Sequence, residues 1–207
     1  MYGSYSILAD GRQQATERKY MLIDEFFEAS GKTKNVFELI SLFGKSIKPF
    51  GYDRFVCFSK TGPTPDVLNT EEIVKYSEQE FFEEYNRLRC VDHDPVFHLM
   101  SSSLRPFTWD EVNALPLSTE QKLPMSLRHD FGLVKGFNVP TQLHDKQGVG
   151  LTIASTLKDA RMDNEALAYL YAMTNQFNIC RYDLLYGDLY PLPFYGRNTF
   201  NTPHNVI

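Results

Sequence analysis

Apolar residues recurring every three or four positions mark the helices of this chain, and alternating ones mark its strands. Over residues 16–30, Tyr20, Ile23, Phe26 and Phe27 share one helical face, and Gly31 supplies a stop. A second helix is expected to begin at Asn35, which forms a box-like cap with Glu38; Val36, Ile40, Phe43 and Ile47 carry its apolar stripe as far as Pro49. The segment GYDRFVCFS (51–59) is apolar on both alternating faces, the pattern of a strand covered above and below. TGPTPDVLNT (61–70) reads as loop and EEIVKYS (71–77) as a short strand, with Ser77 and Glu80 as the capping box of a helix running through Leu88.

Further along, FGLVKGFNVP (131–140) and GVGLTIAST (148–156) predict a hairpin turning at HDKQG. In its second strand Val149, Leu151 and Ile153 point one way, and Gly150, Thr152 and Ala154 the other, because side chains alternate along a strand. One face is bulky and the other nearly bare, which leaves space for a small molecule beneath aromatic-rich helices. Asp163 can cap a long helix in which Ala166, Leu170, Met173, Phe177, Cys180 and Leu184 form a stripe suited to a core or a dimer seam. Helices, then strands, then helices, with an antiparallel hairpin among them, give an α/β fold: an α/β/α sandwich around a central antiparallel sheet.

Composition narrows the function. With 207 residues and 43% hydrophobic side chains the chain supports one core, read as a domain over residues 1–190 followed by an irregular tail at 191–207. The 16 Phe and 12 Tyr are generous for that core, so some rings are available to line a cavity. Against 26 acidic residues stand 21 basic ones, for a net charge of −5, and no Lys/Arg stripe is present to meet a phosphate backbone. This argues against nucleic-acid binding by this chain. Cys57, Cys90 and Cys180 lack CxxC spacing and sit among apolar neighbours, as reduced thiols do. No signal peptide or run of about 18 apolar residues appears, which points to a cytoplasmic protein with no membrane partner.

The candidate chemistry centres on YNRLRCVDHDPVFHLM (85–100). Asp94-Pro95 fits a helix start, since Asp is favoured at the N-cap and Pro at the first helical position. It also fits a ligand clamp, because a carboxylate can accept the N–H of a ligand amide in a dry pocket. Cap and clamp are compatible, with one oxygen on the backbone and the other facing a cavity. Asp92, His93 and Asp94 make a poor metal site, as consecutive extended residues diverge and no second His or Cys cluster completes a shell. There is no G-x-S-x-G elbow, Cys90 reads as an apolar residue rather than a nucleophile, and nothing calls for a cofactor.

Spacing brings these residues together. Phe81 is followed four residues later by Tyr85, nine after that by Asp94-Pro95, and fifteen beyond Asp94 by Trp109; then come Gly136, Pro140 and, sixteen past Gly136, Thr152. The set resembles the autoinducer-binding domain of LuxR-type quorum-sensing regulators, a GAF/PAS-like fold, over roughly residues 16–186. The resemblance implies a non-enzymatic receptor for an N-acyl homoserine lactone or similar signal, working in transcription regulation as a homodimer or as a heterodimer with a full-length regulator. It implies that Asp94 accepts from the ligand amide, Trp109 packs on the head group, Tyr85 lines the acyl tunnel and Thr152 bonds the chain, with Val96 also in the pocket. Phe81 stands where the family carries an indole N–H donor. Tyr76 lies beside the position, here Ser77, of a tyrosine that bonds the amide carbonyl. Family members continue into a helix-turn-helix, whereas this sequence ends YPLPFYGRNTFNTPHNVI. The expectation is therefore a sensing domain without its own DNA-binding unit, or alternatively an antagonist that pairs with a full-length regulator, its ligand binding altered or lost.

Overall fold

The computed structural model describes residues 23–60, 79–142 and 148–186. Helix α1 covers residues 23–30, and α2 (Val36–Ser46) follows a tight turn. Asn35 caps α2 by accepting from Glu38 N, while Glu38 reaches back to Lys34 N rather than to Asn35 N, so the cap is one residue wider than a reciprocal box. Pro49 falls in a 3-10 turn (Lys48–Phe50) that leads into strand β1 (Arg54–Lys60). Helix α3 (Gln79–Arg87), a second 3-10 turn (Cys90–Asp92) and α4 (Pro95–Ser102) come next. After β2 (Phe107–Thr108) follow α5 (Trp109–Asn113), α6 (Thr119–Asp130), β3 (Lys135–Gln142), β4 (Gly148–Ser155) and α7 (Asn164–Tyr186).

The four strands form one antiparallel sheet in the order β1-β4-β3-β2. Its two faces carry two cores. Phe55, Phe137, Val139, Leu151 and Ile153 pack against Phe26, Phe43, Leu170, Met173 and Phe177 of α1, α2 and α7. Ala154 on the opposite face joins Phe81, Tyr85, Val96, Trp109 and Leu127 from α3–α6. This is the expected α/β/α sandwich. The α7 stripe is core, since Ala166, Leu170 and Met173 are fully buried against the sheet and α2. Asp163 caps the helix by accepting from Ala166 N at 3.0 Å.

Helices α5 and α6 and the short β2 are additions to the elements expected from periodicity. Both helices open with reciprocal capping boxes, Thr108 with Glu111 and Ser118 with Gln121. The strand expected at 71–77, Tyr76, Ser77, the hairpin turn and the tail at 191–207 lie outside the described residues. Among the described residues, no helix is long and apolar enough to cross a membrane.

Candidate functional site

The nearly bare face of β4 is real, and its register explains what covers it. Gly136 pairs with Ala154, Asn138 with Thr152 and Pro140 with Gly150, so small and polar residues form rows across the sheet beneath α3–α6. Trp109 comes down onto Gly136: a Cβ there would lie 2.1 Å from the indole. Met100 covers Gly150 in the same way, with its Cε 2.2 Å from the place of a Cβ. What remains open is a cavity of about 40 Å3, bounded by Val56, Phe81, Phe82, Tyr85, Trp109, Arg128, Leu133, Thr152 and Ala154. That is room for on the order of two or three waters. The chamber suggested by the bare strand is thus largely filled by side chains.

Asp94, only 2% exposed, lies behind the wall of this cavity, bonded to two of its lining residues, Tyr85 and Arg128. Its Oδ1 accepts from Val96 N at 2.9 Å, which makes it the N-cap of α4, and Pro95 occupies the first helical position. Its Oδ2 meets protein as well: Tyr85 Oη donates to it at 2.6 Å and Arg128 Nη2 at 2.5 Å. The oxygen expected to face a ligand is thus engaged by two side chains of the same domain. Arg128 arrives from α6, a helix the apolar period did not announce, and is 6% exposed. Its guanidinium carbon lies 5.2 Å from the centroid of Trp109, a cation–π arrangement in a desolvated setting.

Electrostatics keep the proton on both side-chain donors of the cluster, Tyr85 and Arg128. Burial pushes the Tyr85 phenol far above the usual tyrosine range, and the charge of Asp94 adds to this, so the hydroxyl remains a donor. Burial is the strongest single influence on Arg128 and opposes its charge, but Asp94, with Tyr85 and Cys90, outweighs it and holds the guanidinium's pKa above the usual arginine value. The neighbouring Cys90 thiol is raised by burial and then by Asp94, which disfavours the thiolate that a nucleophile needs.

The other residues singled out from sequence fall in two groups. Phe81, Tyr85, Trp109 and Thr152 line the cavity together. Phe81 stacks edge-on against Phe82 and Phe131. Thr152 Oγ1 donates to Asn138 Oδ1 at 2.8 Å, and Asn138 Nδ2 donates to Phe107 O, so the floor carries a buried cross-strand amide. Val96 is buried behind the cap and contributes its backbone N–H rather than a cavity wall. Asp92 pairs with Arg89 at 2.9 Å on the surface and His93 is exposed, apart from the cluster. One further atom stands out: the Trp109 indole Nε1 is buried with no hydrogen-bond partner among the described residues. An unpaired buried donor costs free energy, and it lies in a wall of the cavity.

Comparison with known proteins gives this geometry its family. A search of curated protein sequences returns no match. Among solved structures, the chain is similar to the N-acylhomoserine lactone dependent LuxR family transcription factor CepR2 from Burkholderia cenocepacia, with a TM-score of 0.62 at 17% identity, over 83% of this chain and 98% of that one. It is also similar to SdiA in complex with octanoyl-rac-glycerol, with a TM-score of 0.65 at 13% identity, over 80% of this chain and 67% of that one. The solution structure of E. coli SdiA residues 1–171 gives 0.57 at 15% identity, over 84% and 97%. At such identities the likeness concerns the fold. The sequence model of the family described as "Autoinducer binding domain" matches residues 35–177, well over half of the chain, and the chain therefore belongs to the autoinducer-binding domain family.

Proposed function

We propose that the protein is a signal-receptor domain that binds an N-acyl homoserine lactone or a related acyl signal between the sheet and the α3–α6 layer. The observation that carries this reading is one aromatic-walled cavity that joins Tyr85 and Arg128, both held by the buried Asp94, to Trp109, whose indole N–H has no partner among the described residues. Directed polar groups in an apolar setting are what a small-molecule site requires. Phe81, Tyr85, Trp109 and Thr152, which wall the cavity, are the residues assigned to the ligand, with Asp94 and Val96 behind them; Tyr76, outside the described residues, completes the assignment. CepR2 depends on acyl homoserine lactones and SdiA holds an acyl glycerol, so both head groups belong to the chemistry under test. The signal enters by moving α3–α6 outward from the sheet, because a cavity of about 40 Å3 holds no acyl chain. In this reading the receptor is a cytoplasmic dimer acting in transcription regulation without enzymatic turnover. A panel of acyl homoserine lactones and acyl glycerols should raise the melting temperature, since a ligand at a hundredfold its Kd stabilises by about 2.7 kcal/mol. A panel that shifts nothing at saturating solubility counts against the receptor reading.

A second reading rests on the same carboxylate. Asp94 already has three protein donors, so its carboxylate is satisfied without a signal, which suits a subunit that pairs with a regulator bearing DNA-binding helices. Mixing it with such a regulator should lower operator binding in a gel-shift assay if subunits exchange. An unchanged shift across a range of mixing ratios excludes the pairing.

A further inference from the structure

We infer that Arg128 inverts the head-group selectivity of this pocket: it takes the place at Asp94 that a ligand N–H donor would need, and it selects acyl compounds whose head group only accepts hydrogen bonds. The inference rests on the receptor reading and deepens it.

A carboxylate clamp works by offering an acceptor to a ligand N–H. Here Oδ1 is held by Val96 N, and Oδ2 takes both Tyr85 Oη and Arg128 Nη2. Asp94 does not itself line the cavity but lies behind Tyr85 and Arg128, so an amide that reaches either of its oxygens must displace Arg128, leaving a buried guanidinium without its counter-charge, or it must enter with its N–H unsatisfied. Both outcomes penalise the amide.

The unused capacity on this side of the cavity belongs to donors. Among the described residues Trp109 Nε1 is buried without a hydrogen-bond partner, and Arg128 Nη1 meets the sulfur of Met125 at 3.4 Å. Both residues wall the cavity. A carbonyl oxygen placed between them would satisfy the indole, which thereby supplies the donor that Phe81 cannot. Charge narrows the class further. Arg128 and Asp94 already neutralise each other, so a ligand carboxylate would bring an uncompensated charge into a dry site, whereas an ester, lactone or ketone oxygen would not.

The test uses a matched pair: N-octanoyl homoserine lactone and the lactone in which oxygen replaces the amide N–H, otherwise identical. Titration calorimetry on the wild-type chain should show the ester binding about tenfold more tightly, the usual consequence of burying an unpaired N–H. In Arg128→Ala the carboxylate is freed and the preference should reverse by a similar factor. Arg128→Met keeps the bulk while freeing the carboxylate; it serves if the alanine variant does not fold, and the wild-type comparison needs no variant at all. Trp109→Phe should weaken the ester by about five- to tenfold, the loss of one hydrogen bond. A wild-type chain that binds the amide as tightly as the ester, with the ratio unchanged at position 128, overturns the inference and leaves the receptor reading intact. Binding seen only in the variants overturns the proposed ligand class. Neither compound binding to any of the proteins removes the receptor reading together with this inference.

Discussion

Asp94 bears two jobs in one side chain, and their energies separate them. As a cap it contributes about 1 kcal/mol, the usual worth of an N-cap. As the counter-charge of a buried arginine it matters more, because removing one partner of a buried pair costs about 3–5 kcal/mol. Asp94→Ala should therefore lose more than a cap is worth, as read from urea unfolding midpoints at constant slope. Replacing both partners changes the expectation: Asp94→Ala with Arg128→Met removes the orphaned charge and should recover most of the loss. A double variant no more stable than the single one would show that the pair is not the source of the cost. Asp94 was legible in the sequence because Asp-Pro is a local signal. Arg128 was not, since its role depends on a contact 34 positions away in sequence and an arginine on a helix normally reads as solvated surface.

At the scale of elements, two glycines test how the α3–α6 layer rests on the sheet. Gly136 and Gly150 both point toward that layer and both have a side chain where a Cβ would go. The difference lies in what must yield. Over Gly136 the obstacle is the rigid Trp109 ring, fixed at the start of α5 by the Thr108–Glu111 capping box; over Gly150 it is the flexible end of Met100. Gly136→Ala should cost about 1–3 kcal/mol, the usual price of overpacking, and disturb Trp109 fluorescence, while Gly150→Ala should cost clearly less. Equal losses would mean that the indole is not held against the strand. Most elements could be read from the sequence because Phe43, Leu151 and Phe177 belong to clean periodic stripes facing one core. Helices α5 and α6 escaped because they are short or interrupted, with Pro124 inside α6 and only Val112 and Leu127 as fully apolar buried anchors. Their signal was in the caps: Ser118 and Gln121 announce α6 and would have directed attention to Arg128.

At the scale of the whole molecule, the buried titratable groups fix where the fold weakens with pH. The thiols of Cys57, Cys90 and Cys180 are all raised above their usual value of 9.0, chiefly by burial. The phenols of Tyr52 and Tyr85 are raised above 10.0 for the same leading reason. Each group keeps its proton in the native state at a pH where the unfolded chain has released it. The unfolded state then binds fewer protons, so stability falls as pH rises. The contribution is fully present below the unfolded values, begins to decline near pH 9 as the thiols of the unfolded chain ionise, and declines more steeply from about pH 10 as its phenols follow. Urea midpoints measured from pH 7 to 10.5 should show this two-stage descent. Cys57 lies in the sheet and is 2% exposed, so Cys57→Ala tests the first stage directly. It should lower stability at neutral pH by a modest, pH-independent amount for the lost sulfur and flatten the fall between pH 9 and 10. Wild-type and Cys57→Ala profiles that stay parallel throughout would remove this thiol from the alkaline transition and leave the phenols to account for it.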